Sequence, residues 1–234
     1  MRKFLTAKWT DLIMANYEVD PSLLADHVPV GTTLDLYKGK CFVSVVGFMF
    51  RDTRVLGVPI PFHTDFEEVN LRFYTRRTME SEVRQGVTFL KEIVPLPAVS
   101  IVAQLAYGEP YETWKMGFQN HGPRLAYHWS KGAVANHLSV SVRESLGVPA
   151  AVSVEHFIVE HYWGYTKRSE HRTDEYLVEH PPWELFAANE PVIDVDFGRT
   201  YGEQFAFLSH EKPYSVLFAK GSEVVVYQGS RIAR

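Results

Sequence analysis

Polar and apolar residues alternate most regularly between positions 65 and 74. Successive side chains of an extended strand point to opposite faces, so Glu68, Asn70 and Arg72 share one face, while apolar residues fill positions 69, 71 and 73. An acid, an amide and a guanidinium in line suit a planar carboxylate or amide-like ligand, because Glu68 can orient the donor fork of Arg72. The solvated face of an ordinary antiparallel strand explains the same pattern, so both interpretations stay open.

Most of the remaining pattern is also typical of strands. Lys38-Gly39-Lys40 and Lys220-Gly221-Ser222 each lie between two such segments and are predicted to be hairpin connections. Concentrations of β-branched and aromatic residues predict the strands, which are residues 34–37, 41–50, 87–94, 153–165, 175–180, 215–219 and 223–227.

Helices are fewer. Residues 20–27 begin with a capping aspartate followed by proline, which predicts a short helix that ends before Pro29. Residues 97–107 lie between Pro97 and Gly108 and carry no charge, which predicts a buried helix. Residues 131–146 fit either a helix or, through their Val-Ser-Val run at 140–142, a strand.

Composition narrows the class of protein. The 234 residues are 46% hydrophobic and 14% aromatic, enough for a core that needs no disulfide or metal. We find no linker, repeat or low-complexity run, so we expect a single domain over residues 1–234. Cys41 is the only cysteine, which excludes an intrachain disulfide and favours the cytoplasm.

Charge and missing motifs exclude several partners and cofactors. A net charge of −4 argues against nucleic acid, and no apolar stretch approaches the ~20 residues that span a membrane. The sequence has no dinucleotide, phosphate-loop or serine-hydrolase motif, so no cofactor is expected. Four Glu-His pairs do not have metal-ligand spacing, and His161 and His180 are better candidates for an acid or base. A homo-oligomer is left open.

The order of several short segments along the chain resembles the YqjF-like family of uncharacterised proteins. The match runs nearly end to end. The segments are Leu5-Thr6-Ala7-Lys8-Trp9, Asn16-Tyr17, Phe48-Met49-Phe50-Arg51-Asp52-Thr53-Arg54, Phe66-Glu67-Glu68-Val69-Asn70-Leu71-Arg72, Glu109-Pro110-Tyr111 and His180-Pro181-Pro182-Trp183. That family is similar in fold to acetoacetate decarboxylase. The resemblance implies a strand-dominated α+β fold, in which a curved, largely antiparallel sheet closes into a cone or barrel around a small-molecule cavity, with a few outer helices.

One turn departs from the decarboxylase pattern. In the decarboxylase, a glutamate-bearing strand and a helix precede a Pro-Lys-Lys turn that supplies the Schiff-base lysine. Here the turn is Glu109-Pro110-Tyr111-Glu112, and neither lysine is present. Tyr111 and Glu112 have no amine to condense with a carbonyl, so the departure counts against imine chemistry. Lys91 and Lys115 are the alternative amines, although ordinary surface lysines would explain both.

We therefore expect a cavity lined by Glu68, Asn70, Arg72 and Tyr111 that receives a small polar or carboxylate-bearing molecule. In an enzyme, Arg72 would anchor the carboxylate, Glu68 would act as acid or base, and Tyr111 or a nearby histidine would donate to an oxyanion. In a binding protein the same residues would only hold the ligand. A purely structural role predicts a permanent Glu68–Arg72 pair and no cavity.

Four further residues are candidates for ligand binding. Arg51 and Arg54 follow a hydrophobic strand and could gate the cavity mouth for an anionic ligand. Trp114 could form part of the cavity wall together with Tyr111. His161 lies in an aromatic segment suited to a pocket.

Overall fold

Strands dominate the computed structural model, which describes residues 1–232, with 58% strand and 15% helix. The strands are β1 (Lys3–Val19), β2 (Thr33–Leu34), β3 (Cys41–Val55), β4 (Val58–Pro59), β5 (Phe66–Thr78), β6 (Val83–Val94), β7 (Tyr111–Thr113), β8 (Lys115–His121), β9 (Arg124–Lys131), β10 (Val134–Gly147), β11 (Trp163–Ser169), β12 (Arg172–Glu179), β13 (Leu185–Asp194), β14 (Ser215–Tyr227) and β15 (Ser230–Arg231). The helices are α1 (Pro97–Ala106), α2 (Val154–Val159) and α3 (Phe197–Tyr201), with 3-10 helices at Pro21–His27 and Glu203–Ser209.

Seven of the described strands close a ring. Hydrogen bonds connect β12, β11, β6, β5, β3, β1 and β14 in that order, and β14 pairs back with β12. Most pairs are antiparallel, whereas β6 runs parallel to both β11 and β7. Beyond β14 the sheet continues through β13, β10, β9 and β8. The predicted strand-dominated α+β fold with a largely antiparallel sheet is confirmed.

The ring strands are packed on both faces. In β3, Val43 and Val45 belong to one apolar core together with Tyr127 of β9, whereas Phe42 and Val46 belong to a second core. A strand covered on both faces needs no polar alternation, which explains why residues Cys41 to Phe50 are all buried and mostly apolar. Burial of these faces is the main term that stabilises the ring.

One predicted hairpin is a continuous strand. β14 passes through Lys220-Gly221-Ser222 without turning, and its register with β1 continues on both sides of that point. Gly221 has a φ of +82°, and a Cβ at this position would lie 1.8 Å from the backbone oxygen of Trp9. The glycine therefore allows a close approach of two strands rather than a chain reversal.

Two other segments differ from the prediction. The strand expected at 153–165 begins as helix α2, because the Ser153 hydroxyl caps it by accepting from the His156 backbone N–H at 3.1 Å. Only from Trp163 does this segment become a strand. Of the segment 131–146, residues 134–146 lie in strand β10 and no part is helical, because neighbours on both sides supply the backbone hydrogen bonds of that strand. The strand expected at 34–37 ends at Leu34.

Helix α1 matches its predicted bounds, but the prediction that it is buried was wrong. Ile101 and Leu105 are 56% and 78% exposed, whereas Val99 and Ala103 line a cavity. The helix packs along the sheet by one side, so a lack of charge did not mean burial on all sides. Among residues 1–232, no helix is both long and apolar enough to cross a membrane.

Candidate functional site

A cavity of about 200 Å³ lies inside the ring. Each of the seven ring strands contributes side chains to its lining, and one side of α1 completes it. Most of the lining is apolar, including Trp9, Val46, Phe48, Phe66, Val87 and Phe89. Such a cavity suits a small molecule with an apolar body, with orientation left to a few polar groups.

The polar face of β5 supplies the first of these groups. Glu68, Asn70 and Arg72 all line the cavity. Alternation along β5 turns them away from the apolar core that contains Val43, Val45 and Tyr127, which we call the outer core. Glu68 is 2% exposed and accepts from the amide nitrogen of Asn70 and from the Tyr111 hydroxyl, each at 2.9 Å. Neutral donors therefore hold the Glu68 carboxyl in place.

Arg72 stands apart from Glu68. Its Nη2 donates to the Ile158 carbonyl at 3.4 Å, and its guanidinium carbon lies 5.8 Å from the centre of the Tyr74 ring. Its buried Nε has no hydrogen-bond partner among the described residues. A purely structural role required a Glu68–Arg72 pair and no cavity, and the described structure has a cavity and no such pair.

Two more buried carboxyls lie near Glu68. Glu92 on β6 is opposite Asn70 on one side and Tyr111 on the other, so these three residues form a row across β5, β6 and β7. Glu109 precedes β7 and lines the same cavity. Glu92 and Glu109 are 3% and 4% exposed. The polar end of the cavity thus contains three glutamates.

Glu109 is held by side chains of β11 and β12, the two strands that follow β6 in the ring. Thr166 of β11 and Tyr176 of β12 donate to its Oε1 at 2.6 and 2.9 Å. Gly164 makes room for this arrangement, because a Cβ there would lie 2.1 Å from the ring carbon Cζ of Tyr176. A side chain at position 164 would push the Tyr176 hydroxyl away from Glu109.

Burial sets the protonation of the three carboxyls. Loss of solvent raises the pKa of Glu68 to about 7, and the pKa of Glu109 also to about 7. Burial, together with the charges of Glu109 and Glu68, raises the pKa of Glu92 well above its ordinary value. These groups therefore hold protons near neutral pH, which is the range useful for acid–base chemistry.

Of the predicted histidines, His161 lines the cavity and His180 does not. The Nε2 of His161 lies 3.5 Å from Oδ2 of Asp35, and burial lowers the pKa of this imidazole. His180 stacks on Trp183, with ring centres 4.2 Å apart. Within residues 1–232, no cluster of three or more His, Cys, Asp or Glu side chains is placed to hold a metal ion.

Three predicted ligand-binding residues lie off the cavity. Thr53 and Val55 line it instead of Arg54, which alternation turns outward and leaves exposed. Arg51 is half-buried outside the lining. Trp114 packs in the outer core, and its indole N–H donates to Glu112 at 2.9 Å.

The alternative lysines are also outside the cavity. The Nζ of Lys91 lies 2.7 Å from Oε1 of Glu112, and Lys115 is exposed. Strict alternation along β6 would put Phe89 and Lys91 on one face, but a bulge in the β5–β6 register turns Phe89 into the cavity and Lys91 away from it. Among the described residues, no lysine lines the cavity.

Sequence reasoning missed Glu92, Glu109 and Tyr176 as site residues. Glu92 follows Lys91 in a strand, and its inward direction depends on the same bulge. Glu109 was noted only as part of a turn, and Tyr176 only as part of a strand. Tyr176 and its partner Glu109 are 67 residues apart, so no local window of the sequence indicates their hydrogen bond.

Most of the chain matches one protein family. The family model DUF2071, described as "Uncharacterized conserved protein (COG2071)", matches residues 6–223. The chain belongs to this family. It is 26% identical over 221 residues to "Uncharacterized protein YqjF" of Bacillus subtilis (strain 168), covering 90% of this chain and 88% of that protein. The resemblance to the YqjF-like family is confirmed.

Solved structures share the fold at low sequence identity. Acetoacetate decarboxylase from Legionella pneumophila superposes with a TM-score of 0.71 and 12% identity, over 99% of this chain and 88% of that one. The enduracididine biosynthesis enzyme MppR, in complex with pyruvate, gives a TM-score of 0.70 and 13% identity, over 100% and 91% of the two chains. At such identities the likeness shows an acetoacetate decarboxylase-like fold and no activity.

The raised pKa of Glu109 predicts how its amide variant responds to pH. In the folded chain this carboxyl keeps its proton up to about pH 7, whereas in the unfolded chain it ionises near its ordinary pKa of 4.5. The neutral Glu109 carboxyl thus contributes fully to the stability of the folded chain below about pH 4.5, and this contribution is lost as the pH rises through 7. We expect Glu109→Gln to be more stable than the parent by about 1–3 kcal/mol at about pH 8, and nearly equal at about pH 5.

Urea unfolding at the two pH values measures this difference, with exposed Glu80→Gln as the matched control. Parallel stability curves for Glu109→Gln and the parent would contradict the assigned protonation.

Proposed function

We propose that this protein binds a small polar or carboxylate-bearing organic molecule in the cavity of its strand ring. The observation that carries the proposal is an apolar cavity ending in buried polar groups without partners: Arg72 Nε, Asn70 Oδ1 and Glu92 Oε2. A buried donor or acceptor left unpaired costs about 1–3 kcal/mol, and a ligand that pairs with it recovers part of that cost. The cytoplasm is the proposed location, supported by the single cysteine, which is buried.

The proposed binding does not use an imine. Tyr111 takes the place of a lysine in the turn, and it donates its hydroxyl proton to Glu68. Burial raises the pKa of Tyr111 well above its ordinary value, so the phenol remains a neutral donor. The pyruvate complex of MppR shows that a protein of this fold can hold a small oxo acid, which supports a ligand of similar size here.

Filling the cavity is expected to abolish ligand binding. Ala103 on α1 lines the cavity, whereas Ala106 on the same helix is exposed and lies outside the lining. We expect Ala103→Phe to eliminate the ligand-induced rise in melting temperature that a panel of small amines, carboxylates and alcohols produces in the parent. Ala106→Phe is the matched control and should keep the full rise; equal responses of the two variants would place binding elsewhere.

Borohydride trapping tests the alternative of a relocated lysine. Lys91 is paired with Glu112 and Lys115 is exposed, so we expect no stable adduct at either residue after incubation with pyruvate or acetoacetate and borohydride. Intact mass followed by peptide mapping gives the result, with acetoacetate decarboxylase as the positive control. An adduct at Lys91 or Lys115 would restore imine chemistry as the mechanism.

Acid–base catalysis on an oxo acid is the second candidate function. It is favoured by the Glu68 carboxyl, whose pKa burial raises to about 7 beside the donor Tyr111. In its ionised form Glu68 would remove a proton from the carbon next to the ketone, and Tyr111 would donate a hydrogen bond to the enolate oxygen that forms. Arg72 would anchor the substrate carboxylate.

Deuterium exchange tests this second candidate. We expect the parent to speed the exchange of C3 protons of pyruvate and larger oxo acids with D2O, as followed by NMR. Glu68→Gln should lower that rate by about 10²–10⁴-fold, the usual contribution of a general base. Glu112→Gln serves as the control outside the cavity. If the parent exchanges no faster than buffer, binding without turnover remains the proposed function.

A further inference from the structure

The polar end of the cavity holds more acceptors than donors. Glu68, Glu92 and Glu109 come from β5, β6 and the segment before β7, and all three line the cavity. Among described residues that line it, Arg72 is the one arginine and no lysine is present. In their ionised forms the three carboxyls would therefore exceed the permanent positive charge around them.

Two buried oxygens have no hydrogen-bond partner among the described residues. Oε2 of Glu92 and Oδ1 of Asn70 lack a hydrogen-bond partner, although Glu92 and Asn70 are only 3% and 1% exposed. The amide of Asn70 cannot simply be reversed, because its nitrogen already donates to Glu68 at 2.9 Å. Asn70 and Glu92 are opposite each other on paired strands, where side chains are roughly 5 Å apart. Both acceptors therefore belong to one small region of the cavity.

Other charged or titratable groups around this region do not supply the missing donor. Tyr111 lies within reach of Glu92 as well, but its single hydroxyl proton is donated to Glu68 at 2.9 Å, and Tyr176 donates to Glu109. Arg168, which acts on Glu109 from outside, is bonded to Asp174 at 2.9 Å. The remaining neighbours are Tyr107, His63 and His161, and α1 contributes no charged side chain.

From these contacts we propose that the ligand carries a protonated amine, which donates to Glu92 Oε2 and Asn70 Oδ1 while its apolar body fills the rest of the cavity. The inference rests on the proposed function, because it names the chemical class of the molecule bound at the same site. An ammonium group fits because it presents three donors and one positive charge. A carboxylate elsewhere on the ligand, as in an amino acid, is compatible through the unpaired Nε of Arg72.

Binding of an amine should release protons from the site. Without ligand, the buried carboxyls hold protons near neutral pH, and an ammonium beside them favours their ionised forms. Affinity for an amine should therefore rise between about pH 6 and pH 8, while affinity for a carboxylate should fall over the same range. The two signs are opposite, so the pH dependence separates the two classes of ligand.

Matched probes test the inference in the full-length protein. Isothermal titration calorimetry compares benzylamine, benzyl alcohol and benzoate, which carry a cation, a neutral group and an anion on an aromatic ring. The comparison is repeated with the amine, alcohol and carboxylate of an isobutyl series and of a cyclopentyl series. We expect the amine of at least one set to bind about ten-fold tighter than its alcohol and its acid. Titration in phosphate and in Tris, whose ionisation enthalpies differ, should show proton release by the amine.

The possible failures are distinguishable. Tighter binding of a carboxylate than of its amine overturns the inference and leaves the proposed function intact. Tighter binding of alcohols also overturns the inference, since charge would then play no part. If no probe of any set binds, both the inference and the proposed function fail for molecules of this size.

A charge-removing variant tests the assigned position. We expect Glu92→Gln to weaken amine binding by about ten-fold or more and to leave alcohol binding unchanged. Glu112→Gln, outside the cavity on β7, is the matched control. Because Glu92→Gln also replaces a buried ionisable group, its melting temperature at about pH 8 reports whether it folds. An unchanged amine affinity in folded Glu92→Gln would overturn the assignment.

Discussion

Desolvation of three carboxyl groups inside a ring of apolar strands is the constraint that shapes the site. A carboxyl out of water must keep its proton or find donors. Glu68 and Glu109 are each held by two neutral donors from neighbouring strands or turns. Glu92 stands between them with one oxygen unpaired. The cavity thus contains an unpaired buried oxygen beside two further carboxyls, which an apolar pocket of the same shape would not have.

The strand ring stabilises a fold that contains these buried carboxyls. Its strands bury apolar side chains on an outer core and on the cavity face, and the free energy of that burial offsets the cost of the polar end. Helix α1 closes part of the cavity with Val99 and Ala103, but leaves Leu105 exposed.

The fold is shared with acetoacetate decarboxylase and with MppR at 12% and 13% identity, which shows the architecture and no activity. In this chain the segment Glu109-Pro110-Tyr111-Glu112 supplies two polar groups to the cavity, the Glu109 carboxyl and the Tyr111 hydroxyl. The Tyr111 hydroxyl donates to Glu68, so this segment is part of the hydrogen-bonded network of the site.

The sequence by itself determined the elements that local pattern controls. Alternation along β5 was enough to put Glu68, Asn70 and Arg72 on one face, and proline and glycine were enough to bound α1. The order of short segments was enough to identify the family.

Only the tertiary structure decided the rest. A bulge between β5 and β6 turned Glu92 inward and Lys91 outward, and ring closure brought Tyr176 to Glu109. The helical start of residues 153–165 is different, because its Ser153 cap joins residues only three positions apart. Pairing with two neighbours made β10 a strand. In the bulge, the ring closure and β10 alike, hydrogen bonds and burial between distant residues override what a local window of sequence favours.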